Sequence, residues 1–154
     1  MMDRRTLLLA PLALAALPAC AGGGGFEITR SEAEWRAMLS DLEYAVMREE
    51  ATEPPGSSPL DKHFEPGTYH CRGCDLPLFS GADKYDGGTG WPSFHTALAG
   101  AIGTREDRRF IFQVRTECHC RRCGSHLGHI FDDGPPPTGK RHCINGASLV
   151  FRPA

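Results

Sequence analysis

The sequence predicts a mainly β domain with short helices at its N-terminal side. Three observations lead there. Helix start signals cluster between residues 31 and 50. The rest of the chain carries short, alternating apolar runs. Eighteen glycines and twelve prolines among 154 residues punctuate those runs with turns. The length suits one domain with a hydrophobic core.

The helices come first. Ser31-Glu32-Ala33-Glu34 and Ser40-Asp41-Leu42-Glu43 are both capping boxes, in which serine and glutamate satisfy early backbone donors. Trp35, Met38, Leu39 and Leu42 follow at helical spacing. Two boxes predict two short helices, over 31–39 and 41–50, with Trp35 as core packing. Three prolines between Thr52 and Pro59 then end helix formation. Residues 67–71 and 76–80 read as strands around Cys71 and Cys74. Ile102 to Arg105 and Phe110 to Thr116 read as a hairpin turning at Glu106-Asp107. Phe110, Phe112 and Val114 alternate with Ile111, Gln113 and Arg115, so both faces have apolar character, as in a central strand. Ser125 to Phe131 and Ala147 to Phe151 are further strands, with Pro135-Pro136-Pro137 a rigid loop between them.

Residues 1–20 stand apart. Arg4-Arg5 precedes an apolar run from Leu7 to Ala19, too short for a membrane span, and together they read as an export signal. Leu17-Pro18-Ala19-Cys20 looks like a bacterial lipoprotein cleavage box, with Cys20 as the lipidated first residue. Ordinary cleavage nearby is the alternative. Residues 21–27, rich in glycine, read as a flexible linker, and 28–154 as the folded domain. The arginine pair resembles a twin-arginine signal, which implies folding, and metal loading, before export. The expected location is the bacterial periplasm or cell envelope, with membrane contact only through a lipid anchor.

A net charge of −2 gives no footing for nucleic acid. Arginines cluster between Arg105 and Arg122, but Glu106, Asp107 and Glu117 are interleaved, so this stretch reads as a solvated mixed-charge face.

Seven cysteines carry the chemistry. Cys71-x-x-Cys74 and Cys120-x-x-Cys123 each place two thiolates on a tight turn, which Gly73 and Gly124 allow. Together they predict one structural Zn2+ per chain, closed by four soft ligands. Disulfides or redox pairs compete with that reading. Cys20, Cys118 and Cys143 are left over. Cys143 is flanked by Arg141 and Asn145, which share its face in an extended strand. A thiol beside a fixed positive charge is a candidate nucleophile. His126 and His129 read as metal ligands, as acid/base groups, or as two satisfied surface histidines.

Taken in order, Gly88-Thr89-Gly90-Trp91-Pro92-Ser93-Phe94, Arg115-Thr116-Glu117, Cys120-x-x-Cys123, Ser125-His126-Leu127-Gly128-His129-Ile130-Phe131-Asp132-Asp133-Gly134-Pro135 and Arg141-x-Cys143-Ile144-Asn145 closely resemble the B-type peptide methionine-(R)-sulfoxide reductases. The resemblance spans residues 30 to 151. It implies a zinc-bearing β-tent of two antiparallel sheets. It also implies reduction of methionine-(R)-sulfoxide, free or in proteins, an oxidative-damage repair reaction; the chain is expected to act as a monomer. By position, Cys143 matches the nucleophile, and His126 and His129 the pocket histidines, with His129 on the proton-donor side. Asp133 would assist their polar network, and Arg141 would lower the Cys143 pKa. Asn145 would orient groups around the sulfur. Trp91 would hold the S-methyl group, with Phe131 beside it.

One position departs from the family. Its usual resolving cysteine is here Thr89, which forms no disulfide. Cys118 is the internal candidate, though on a strand it shares a face with Cys120. Direct reduction of a Cys143 sulfenic acid by a thioredoxin-like protein or small thiol is the other route. Outside catalysis, the competing readings are a zinc-stabilised β-tent binding module and a zinc-ribbon nucleic-acid protein, which charge and export signal oppose.

Overall fold

A computed structural model of the chain describes residues 25–110 and 113–154. The export signal, Cys20 and the start of the linker lie outside these residues, as do Ile111 and Phe112 of the alternating run.

Both capping boxes form. The Ser31 hydroxyl accepts from the Glu34 amide while the Glu34 carboxylate accepts from Ser31, opening α1 (Glu32–Met38). Ser40 and Glu43 do the same for α2 (Asp41–Glu49). Trp35 is buried between the guanidiniums of Arg30 and Arg48, 4.9 and 4.7 Å from its ring centre. These cations over the ring faces fix α1 and α2 against the body of the domain.

Among the described residues nine strands follow: β1 (Gly67–Cys71), β2 (Pro77–Ser80), β3 (Lys84–Tyr85), β4 (Ser93–Phe94), β5 (Ile102–Phe110), β6 (Gln113–Cys120), β7 (His126–Phe131), β8 (Arg141–Ile144) and β9 (Leu149–Pro153). They form two antiparallel sheets, one of three strands in the order β2-β1-β9 and one of six in the order β3-β4-β8-β7-β6-β5. The core lies between them. Phe79 of the small sheet stacks on Phe94 of the large one with centroids 4.4 Å apart, and Tyr69 meets Phe94 edge-on. Leu78, Leu127, Ile144 and Leu149 are fully buried in the same cluster. Each such side chain contributes about 1.5–3 kcal/mol of burial.

The hairpin differs from its expected form. Glu106 and Asp107 lie inside β5, opposite Thr116 and Arg115, and Phe110 pairs with Gln113. The reversal therefore falls beyond the acidic pair. Register with β6 overrides the local turn preference of those residues. The short strand at Arg141–Ile144, which the proline-rich loop before it obscures, is an interior member of the large sheet.

The two cysteine pairs form matching turns that join the sheets. In each, the residue following the second cysteine donates its amide to the first cysteine's carbonyl: Asp75 to Cys71 at 2.8 Å and Gly124 to Cys120 at 2.9 Å. Each first cysteine donates to the residue after that, Leu76 or Ser125. Both turns need a left-handed residue at the same place, Asp75 (φ 58°) and Gly124 (φ 69°). Gly73 does not supply it. Its smallness serves packing, since a Cβ there would meet Met47 and Trp35 at 3.0 Å.

The four sulfurs lie within 4.8 Å of one another, with Cys71–Cys123 at 3.7 Å and Cys74–Cys120 at 3.5 Å. Tetrahedral zinc with bonds of about 2.3 Å sets its sulfurs about 3.8 Å apart, whereas a disulfide needs about 2.05 Å. The cysteines fit a closed, structural zinc site. It links β1 of the small sheet to β6 of the large one. Cys120→Ser is expected to abolish zinc retention by metal analysis and to lower the unfolding midpoint by about 10 °C or more, because metal-binding free energy at such a site is folding free energy.

Candidate active site

Antiparallel register lines up one row of side chains across the large sheet. Arg105 lies opposite Glu117, Glu117 opposite His129, His129 opposite Cys143, and Cys143 opposite Ser93. Directly opposed residues share a face, with Cβ atoms about 4.5–5.5 Å apart. A neighbouring row places Asp107 opposite Arg115 and Phe131 opposite Arg141. Thus β5 to β8 place the thiol, a histidine, two arginine–carboxylate pairs and an aromatic ring on one surface.

The β7–β8 approach depends on Gly128. A Cβ there would lie 2.0 Å from the Cys143 carbonyl oxygen, so any side chain would force the two strands apart.

A cavity of about 180 Å³ opens on this face, lined by Trp91, Arg115, His129, Phe131, Cys143 and Asn145 among others. Trp91 is held by its indole N–H, which donates to the Glu53 carbonyl at 3.0 Å. Glu53 itself is buried and joins several parts of the wall. Its carboxylate accepts from the Gly146 and Ala147 amides at 2.6 and 2.8 Å, and its own amide donates to Asn145 Oδ1 at 3.0 Å. Asn145 Nδ2 completes the link by donating to the Leu127 carbonyl. Asn145 lies beyond the end of β8, and its side chain ties that turn to β7. Sequence reading missed Glu53 because it sits in a proline-rich segment with no motif around it.

The histidines are backed by carboxylates. His129 Nε2 lies 2.8 Å from Asp107 Oδ2, and His126 Nδ1 lies 2.7 Å from Glu117 Oε1. Each carboxylate is also held by an arginine, Arg115 on Asp107 at 2.6 Å and Arg105 on Glu117 at 3.0 Å. Burial pushes the Glu117 carboxyl up, but His126 and Arg105 outweigh it and hold it at about 2. Burial acts the same way on Asp107. There the Arg109 amide, His129 and Arg115 prevail and keep the carboxyl well below the usual range. Asp107 and Glu117 are thus withdrawn from the mixed-charge face their composition suggests, whereas Arg105, Glu106, Arg108 and Arg109 stay exposed on it. The cavity reaches His129, while His126 is fully buried behind it, its ring edge-on at 5.3 Å.

Asp133 is not part of this network. Both its oxygens accept from Arg141, at 2.8 Å each, on the exposed rim. Arg141 in turn lies over the Phe131 ring, 4.4 Å from its centre. Arg141 favours the Cys143 thiolate, as does the Thr89 hydroxyl 3.9 Å from Sγ, but burial outweighs both and the thiol is pushed up. Burial also pushes His129 down, against the pull of Asp107. In the resting site both groups are therefore neutral near pH 7.

Cys118 cannot act as resolver. It pairs with Gly128, which pairs with Ile144, so it lies on the face opposite Cys143 and is fully buried in the core. Strand β7 separates the two cysteines, about 10 Å at the usual strand spacing, whereas a disulfide needs Cα atoms within about 7 Å. Burial moreover pushes the Cys118 thiol far up.

The class that fold and cavity define is a mainly β domain with a four-cysteine zinc site and a cavity lined by one cysteine thiol and one histidine. The SelR domain matches residues 39–153. The peptide methionine sulfoxide reductase MsrB of Thiobacillus denitrificans is 51% identical over 125 residues, covering 80% of this chain and 94% of its own. That of Methylibium petroleiphilum is 47% identical over 127 residues, covering 82% and 92%. The chloroplastic peptide methionine sulfoxide reductase B1 of Oryza sativa is 43% identical over 131 residues, covering 85% and 61%. The chain belongs to this SelR family, the B-type methionine sulfoxide reductases, and is an oxidoreductase acting on sulfur.

Arg141→Met tests the electrostatics. Removing the guanidinium leaves burial unopposed on that side, so the midpoint of Cys143 alkylation by iodoacetamide moves to higher pH and the rate at pH 7 falls about threefold or more.

Proposed function

We propose that Cys143 reduces methionine-(R)-sulfoxide to methionine in the cavity beside His129. The observation that carries this is the cross-strand pair of Cys143 and His129 at the wall of a cavity closed by Trp91 and Phe131. At about 180 Å³ it is smaller than the roughly 300–1,000 Å³ that whole drug-sized ligands fill. It suits one side chain, entering from a peptide or as the free amino acid. The Trp91 and Phe131 rings hold the S-methyl group by sulfur–aromatic contact.

Cys143 sulfur attacks the sulfoxide sulfur, and the sulfur–sulfur bond so formed breaks again as oxygen moves to Cys143, its electron pair staying on the methionine sulfur. The sulfur–oxygen bond of the substrate breaks and its oxygen passes to Cys143, giving the sulfenic acid and methionine. The cysteine is oxidised by two electrons and the substrate reduced by two. Neutral His129 takes the thiol proton and returns it to the departing oxygen, so no proton is drawn from solvent. Asn145 holds the β7–β8 turn in register around the sulfur, and Arg141 favours the thiolate as it forms. His126 supports His129 from behind. The zinc, on Cys71, Cys74, Cys120 and Cys123, supplies stability and no open coordination site.

Thr89 leaves no resolving thiol within reach of Cys143 among the described residues. A thioredoxin-like protein or small thiol then attacks the sulfenic sulfur directly, releasing water, and a second thiol frees Cys143. The reductase is placed in the cell envelope as a monomer, tethered through a lipidated Cys20 and the glycine-rich linker. The support is the signal-like composition of residues 1–20 and the lipoprotein-type box ending at Cys20.

Separated epimers test the reading. With dithiothreitol as reductant, the wild type turns over the R epimer of N-acetyl-methionine sulfoxide and leaves the S epimer untouched. Cys143→Ser keeps zinc and fold yet loses turnover. Activity confined to the S epimer, or retained by Cys143→Ser, would sink the assignment.

A further inference from the structure

The carboxylate behind His129 comes from an edge strand, 22 residues earlier, and no motif marks it. Asp107 is largely enclosed, its side chain 8% exposed. It is fixed from three sides. The Arg109 amide donates to Oδ1 at 3.0 Å, Arg115 donates to Oδ2 at 2.6 Å, and His129 Nε2 lies 2.8 Å from the same oxygen. An anionic carboxylate only accepts, so His129 Nε2 carries the hydrogen of that contact. Nδ1 is left as the nitrogen with a lone pair. His129 lines the cavity with Cys143 directly opposite.

We propose that Asp107 is a positioning residue for the reaction: it locks His129 in the Nε2–H tautomer, so that Nδ1 can take the Cys143 proton and deliver it to the sulfoxide oxygen. This rests on the functional reading above. The logic is that of a carboxylate orienting an imidazole and stabilising the imidazolium that forms transiently. Arg115 keeps the carboxylate ionised and fixed. Glu117 and His126 form a parallel pair that does not reach the cavity. It is the Asp107 pair, therefore, that sits where a proton must move. The charged and titratable groups facing His129 are Asp107 from β5, Arg115 and Glu117 from β6, His126 from β7, and Cys143 with Arg141 from β8.

The test combines spectroscopy with a double-mutant cycle. Long-range 1H–15N correlation of the imidazoles in the wild-type holoenzyme reports the His129 tautomer directly, with no variant needed. The Nε2–H form is expected, and an Nδ1–H form would overturn the proposal. Asp107→Asn should give a mixture of tautomers. It should also lower kcat on N-acetyl-methionine-(R)-sulfoxide about 10- to 100-fold, part of what general acid–base catalysis supplies, with KM changed less than about threefold. In a His129→Gln background the same substitution should cost less than about twofold more, because residues acting as a unit are not additive. Full additivity would assign Asp107 to structure alone, and an unchanged kcat or tautomer in Asp107→Asn would remove its role. A wild type inactive on the R epimer would defeat the functional reading, while the tautomer measurement would still decide what Asp107 does to the ring.

Discussion

The pairing of β7 with β8 is the constraint on which the rest of the site depends. It sets His129 opposite Cys143 and, two residues on, Phe131 opposite Arg141. The approach is possible because Gly128 presents no Cβ to the Cys143 carbonyl. A one-residue slip would send Cys143 to the core face, where Ile144 now lies. Two devices secure the register from outside the pair. Glu53 grips the turn after β8 through the Gly146 and Ala147 amides and Asn145. The zinc turns clamp β6, the other neighbour of β7, to the small sheet.

Electrostatics then decide which groups carry charge. The thiol and the imidazole of the facing pair are both held neutral by burial. The carboxylates behind the histidines are both held ionised, because each has an arginine and a histidine within hydrogen-bond reach. The carboxylate charge is thus held behind the histidines, on Asp107 and Glu117.

Legibility of the sequence followed the range of the interaction. Capping boxes are local, and both formed as read. The cysteine pairs are local turns whose repetition implied a shared metal, and their sulfurs do converge. The residues Cys143, His129, Trp91, Phe131 and Asn145 were legible as a constellation, and they line one cavity. What failed was adjacency across strands. Asp133 stands near the histidines in sequence, but the carboxylates that reach them are Asp107 and Glu117, from β5 and β6. Glu106-Asp107 has turn composition, yet pairing with Arg115 and Thr116 draws it into a strand. Cys118 looked available by count alone. Strand parity puts it on the wrong face, and only the β6–β7–β8 register reveals that.

Under the proposed chemistry, restoring Cys143 falls to a thiol from outside the described residues. Thr89 occupies the place of an internal partner and can offer Cys143 a hydroxyl, never a second sulfur. The most direct check is a single turnover without reductant, one equivalent of the R epimer per enzyme, followed by peptide mass mapping with a sulfenic-acid trap. One equivalent of methionine and one trapped oxygen on Cys143, with the remaining cysteines of residues 25–154 unmodified, is the outcome expected. A disulfide joining Cys143 to Cys118, or methionine released with Cys143 still a free thiol, would contradict the account.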